Sequence, residues 1–162
     1  MNYNAIHEAA HTVIAVYFGK EVTGINMLPD VEYCGEIGNQ AAAITYVNGL
    51  KETLDDVKII LAGMCATKLF SISTAEELLS LDDLSLESEL TNEFGVADDY
   101  NKAVDILVKL SCLQDMPQLM RDTIQLINSE HIRNKIIVLS KVLQHDNHFS
   151  SNTIDSILWD MR

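Results

Sequence analysis

His7-Glu8-Ala9-Ala10-His11 is the stretch whose residue types and spacing can do chemistry. On a helix, residues four apart project from one face, one turn apart. Two imidazoles so placed reach a single tetrahedral zinc ion, with nitrogens at about 2.0–2.1 Å. Glu8, one residue on from His7, leans over the metal site without ligating it. Zinc brings the pKa of a bound water to about 7. A carboxylate there removes the water's proton during attack on a carbonyl and delivers it to the leaving group. The bland alternative is a pair of histidines spaced by chance. Against it, the motif uses two of the five histidines of the chain and lies on a strongly periodic segment.

A catalytic zinc needs a third protein ligand. The motif does not continue into a three-histidine pattern, because His11 is followed by Thr12-Val13-Ile14-Ala15-Val16-Tyr17. The residues alone leave the choice open among Asp98, Asp99, Glu76, Glu77, Asp82, Asp83 and His131. Acids at a helix start also serve the helix dipole, a structural role that Asp98 and Asp99 fit equally well.

The elements that must position these groups follow from periodicity. Ala5, Ile6, Ala9, Ala10, Val13, Ile14 and Tyr17 recur at three- and four-residue spacing and predict a helix over Asn2 to Phe18, stopped by Gly19. Val22 to Leu28 and Ala42 to Val47 read as two short strands, with Pro29, Gly35 and Gly38 between them. Thr53 to Phe70 is apolar nearly all round, which predicts a buried central helix, and Ala62, Gly63 and Ala66 allow a close helix neighbour. Thr74-Ala75-Glu76-Glu77 is a capping-box pattern. A short helix is expected over Ser85 to Phe94, ended by Gly95, and a long one over Ala97 to Cys112. The apolar face of the latter reads as Tyr100, Ala103, Val104, Leu107, Val108 and Leu110 or Leu113. Asp115-Met116-Pro117 starts further helix to about Gln144, with a break near Asn128 to Glu130. His145 to Ser151 reads as a polar loop, far better explained by solvation than by metal binding at His145 and His148. A last helix spans Thr153 to Met161, with Trp159 docked in the core or against the tail.

The expected class is mainly α with a small β-sheet (α+β), in one domain over 1–162. About 1–113 would form the catalytic core and about 114–162 the C-terminal helices, which composition allows to be a loosely attached tail. The balance of 11 Lys plus Arg against 24 Asp plus Glu, a formal charge of −13, disfavours nucleic acid as a partner. No run approaches the roughly 18 apolar residues of a membrane span. Met1 to Ile6 carries no basic residue, unlike a secretory signal. Cys34, Cys65 and Cys112 are odd in number and far apart, which reads as reduced thiols in a cytoplasmic protein, with Cys34 the most exposed.

Taken as a set, these segments resemble the peptidase domain of the FtsH family of ATP-dependent zinc proteases. His7-Glu-Ala-Ala-His11 resembles that family's H-E-A-G-H, and Val22 to Pro29 its strand ending in proline. Ile59 to Phe70 is similar to its buried helix "LLGGRAAEELIF". Gly95-Val-Ala-Asp-Asp-Tyr-Asn-Lys-Ala103 resembles "GASNDLEQA", in which the aspartate supplies the third zinc ligand. Ile136 to Leu158 resembles the family's closing helices, so the likeness spans nearly the whole chain. The resemblance implies an FtsH-peptidase-like helical fold, Zn²⁺ held by His7, His11 and Asp99, and Glu8 as catalytic base. It implies a zinc metallopeptidase cleaving peptides or unfolded proteins. The edge of the small sheet at Ala42 to Val47 is the expected place for an extended substrate to add.

This sequence departs from the family in carrying no ATPase module and no membrane segment, in Ala62-Gly63-Met64 for Gly-Gly-Arg, in Ala10 for the motif glycine, and in a longer acidic stretch at 71–94. None of these removes a ligand or the base. They do leave open a homo-oligomer, a separately encoded ATPase partner, and a non-catalytic binding or regulatory module on the same fold.

Overall fold

A computed structural model describes residues 2–26, 32–33, 36–37, 43–46, 51–92, 96–145 and 148–161. The expectations attached to Leu28, Pro29, Cys34, Gly35, Gly38, Ala42, Val47, Phe94 and Gly95 lie outside these residues. Helix α1 is Tyr3–Tyr17. Asn2 caps it, its side chain accepting from the Ala5 N–H at 3.2 Å, which satisfies one of the free donors of the first turn. Gly19, at φ 74°, turns the chain out of it. Strand β1 (Val22–Asn26) follows, then the two-residue strands β2 (Glu32–Tyr33) and β3 (Glu36–Ile37), which pair with each other, and β4 (Ala43–Tyr46).

Helix α2 is Leu54–Ser71, with Thr53 as N-cap. Asp56 closes its first turn by accepting from the Thr53 N–H at 2.7 Å and the Thr53 hydroxyl at 3.1 Å. The Lys20 ammonium, half-buried, lies 3.0 Å from the other carboxylate oxygen of the buried Asp56, an ion pair that ties the end of α1 to the start of α2. Helix α3 (Ala75–Leu79) begins with the capping box of Thr74 and Glu77. Helix α4 (Asp83–Thr91) starts at Asp82, whose carboxylate accepts from the Ser85 N–H. Helix α5 is Ala97–Lys109, α6 Met116–Asn128, α7 Glu130–His145 and α8 Ser151–Leu158, with strand β5 (His148–Ser150) just before α8. The class is mainly helical.

α2 lies at the centre because it has no polar face to give to water. It packs against α1 on one side and against α5 and α6 on others. The one cation buried along it, Lys68, is paired with Glu89 of α4 at 3.3 Å. The small residues Ala9 and Ala10 of α1 are fully buried, which lets α1 approach α2 closely. α6 covers α2, and α7 lies along α1. Residues of α6, α7 and α8 belong to the same apolar core as α1 and α2. β1 pairs antiparallel with β4 on one side and β5 on the other, in the order β4-β1-β5, and a bulge interrupts its register between Val22 and Gly24. No helix among the described residues is long and apolar enough to cross a membrane.

Four local expectations are corrected. His148–Ser150 is a strand rather than part of a polar loop, since Gly24, Ile25 and Asn26 offer it backbone partners that no local pattern reveals. α5 ends at Lys109, not Cys112, where Ser111 takes a positive φ of 57°. Its buried residues are Ala103, Ile106 and Leu107, and Tyr100, Val104 and Leu110 pack against the core as expected; Ile106 joins the face and Val108, 57% exposed, does not. Trp159 is 73% exposed, so it is no core residue; the final turn carries it outward past α8.

Candidate metal centre

α1 presents His7 and His11 on the face that meets α2, and the first turn of α5 brings Asp99 to the same place. His7 Nε2 lies 2.9 Å from Asp99 Oδ2, His11 Nε2 lies 3.2 Å from the same oxygen, and the two Nε2 atoms are 2.9 Å apart. The rings stand nearly edge-to-face, with centroids 4.5 Å apart and planes at 79°. His11 is also held from behind: its Nδ1 is 2.7 Å from the Ile59 carbonyl of α2. Donation from Nδ1–H to that carbonyl directs Nε2 toward His7 and Asp99, where its lone pair becomes available to a metal once the Nε2 proton is displaced.

Three acceptor-capable atoms thus converge on one point. Shared protons cannot satisfy all three contacts at once without placing like-charged hydrogens or lone pairs against each other. A divalent cation does satisfy them. Adjacent ligand atoms of a zinc tetrahedron stand about 3.3–3.4 Å apart for bonds of about 2.0–2.1 Å. The observed separations are a few tenths of an ångström inside that, so a small outward relaxation of the rings suffices. His7, His11 and Asp99 can hold a metal ion.

The electrostatics agree with this donor set. Burial alone would lower the pKa of His11, but the hydrogen bond and charge of Asp99, with Glu8 and the Ile59 carbonyl, outweigh it and hold His11 up to about 9. Burial would raise Asp99, yet hydrogen bonds from His11 and His7, and their charges, keep its carboxyl well below the usual carboxylate range. Glu8 is only 8% exposed and shifts upward, chiefly by burial; His11 and His7 pull the other way and Asp99 adds to the rise. Among the described residues, no hydrogen bond reaches the Glu8 carboxylate. Lys102, one turn after Asp99, has its ammonium 3.9 Å from Asp99 Oδ1 and also acts on Glu8.

The other acids weighed as third ligand have structural duties instead. Glu77 and Asp82 cap α3 and α4, and Asp83 pairs with Arg121 at 2.7 Å. Glu76 is exposed on α3, Asp98 points to solvent, and His131 is exposed on α7. Cys65 is buried in α2, where burial pushes its thiol above the ordinary range, and it takes no part in the cluster. Sequence reasoning missed the Ile59 carbonyl, since a backbone acceptor carries no residue signature. It read Gly63 as a packing glycine, whereas Gly63 lies directly against both imidazole rings.

No protein-family model and no curated protein matches this chain.

Proposed function

We propose that the chain is a zinc-dependent endopeptidase acting on peptides or unfolded proteins, with His7, His11 and Asp99 as metal ligands and Glu8 as general base. The observation that carries this reading is the pairing of a two-imidazole, one-carboxylate cluster with a buried carboxylate that touches no hydrogen-bond donor among the described residues. A zinc ion bound there would supply the Lewis acid that polarises water and the peptide carbonyl.

The remaining work falls to the chain's own groups. Glu8 accepts the proton of the attacking water as its oxygen adds to the carbonyl carbon. It returns that proton to the amine nitrogen as the C–N bond breaks. Burial suits Glu8 to both steps, because it raises the carboxylate's hold on a proton above that of an exposed glutamate. The Ile59 carbonyl fixes the ring of His11, and Asp99 keeps both imidazoles turned inward. Among the described residues β4 ends the sheet order, so an extended substrate can add alongside it as a further strand.

The test is cleavage of an unfolded, fluorescently quenched protein substrate by chain loaded with one equivalent of zinc. Cleavage by the parent and its loss in Glu8→Gln support the assignment. An inert parent with its zinc in place removes the peptidase reading and leaves a metal-binding module.

A further inference from the structure

We propose that Gly63 is a positioning residue of the metal centre. The turn of α2 from Ile59 to Gly63 is the seat for both imidazoles, and a side chain at 63 would take the space in which they meet Asp99. The inference rests on the metal-binding reading above but not on peptidase activity.

A Cβ built on Gly63 would stand 2.5 Å from His11 Nε2, 2.5 Å from His7 Nε2 and 2.5 Å from His7 Cε1. Real Cβ atoms essentially never come within 3.0 Å of a neighbour, so an added methyl must displace the rings. The atoms struck are the two ligand nitrogens themselves. His11 can yield only the few tenths of an ångström that a metal asks of it, because its opposite nitrogen is bound at 2.7 Å to the Ile59 carbonyl, one helical turn before Gly63. Moving that ring therefore breaks either the carbonyl contact or the approach to Asp99. Metal–ligand distances in a sound site hold to within about 0.2 Å of their ordinary values, and an imidazole pushed aside by a methyl at 63 falls outside them.

The glycine also calls for a reason on other grounds. It lies inside an 18-residue helix, at a buried position, where alanine would be the better helix former. Its φ is not in the left-handed region, so no turn requires it. The space for the imidazoles is what remains.

The experiment compares the parent, Gly63→Ala, the double variant His7→Ala/His11→Ala, and the triple variant that adds Gly63→Ala to it. Zinc affinity is read by competition with a chromophoric chelator, and Tm is read on metal-free protein. Gly63→Ala is expected to weaken zinc binding at least a hundredfold and to lower the metal-free Tm. In the background without the two rings, the same substitution is expected to leave Tm unchanged or raise it. Parental zinc affinity in Gly63→Ala overturns the inference. So does an equal fall of Tm in both backgrounds, which would locate the clash in helix packing. A parent that takes up no zinc overturns the metal-centre reading itself, and the paired Tm comparison still shows whether the imidazoles are what excludes the side chain.

Discussion

Raising the pH should strengthen metal binding by the folded chain while weakening the metal-free fold, and both trends trace to His11. In the metal-free protein its pKa stands at about 9, against 6.5 for the free side chain. A metal must displace that proton. At pH 7 only about one His11 in a hundred is deprotonated, so apparent zinc affinity lies roughly a hundredfold below its plateau. It should climb about tenfold per pH unit between pH 6.5 and 9 and flatten above that. The sign for stability is opposite. A pKa raised on folding stabilises the metal-free chain fully below pH 6.5, and that contribution is lost as pH rises through 9. The shift corresponds to about 3 kcal/mol as an upper figure, and it counts the pairing with Asp99 once, not once for each partner. Chelator competition at several pH values measures the first trend, and urea denaturation of the metal-free protein the second. Zinc affinity independent of pH from 6.5 to 8.5 would refute the coupling of His11 to Asp99.

Other consequences follow from single groups. Glu8→Gln should retain zinc at parental affinity while turnover falls about 10²–10⁴-fold, as expected for loss of a general base; peptide assays with parallel zinc analysis check this, and parental turnover contradicts it. In metal-free Asp99→Asn, His11 loses the two largest influences that raise it, so its imidazole should titrate clearly below its parental value in an NMR titration; an unchanged titration would contradict the pairing. Lys20→Met should cost about 3 kcal/mol in urea denaturation, because it leaves Asp56 buried without its cation. A loss under about 0.5 kcal/mol would mean that the two Thr53 hydrogen bonds suffice for Asp56.

Local signals made much of the helical frame legible. Gly19 and the Thr74 capping box each announce a helix end, and each stands at or just beyond one; Asn2 and Thr53, read as the first residues of their helices, are their caps. The four-residue spacing of His7 and His11 placed both rings on one face because helical geometry leaves no other choice. Asp99 was different. Nothing in its own residue type separated it from Asp98, and only the way α5 docks on α2 turns one inward and the other to solvent. The partners of the rings were less legible still. The Ile59 carbonyl is invisible to sequence, and Gly63 reads as one small residue among Ala62 and Ala66 until α1 is laid against it. Strand β5 and the exposure of Trp159 escaped for the same reason: a three-residue strand has too little alternation to read, and the direction of a terminal turn is set by what it packs on.

The most direct test is zinc K-edge absorption spectroscopy on the purified chain, beside the same measurement on Asp99→Ala. The expected spectrum shows one zinc per chain with two imidazole nitrogens and a carboxylate oxygen at about 2.0–2.1 Å, and little or no zinc retained by the variant. A chain that binds no zinc, or a zinc environment unchanged by removal of Asp99, would contradict the assignment of this cluster as a metal centre.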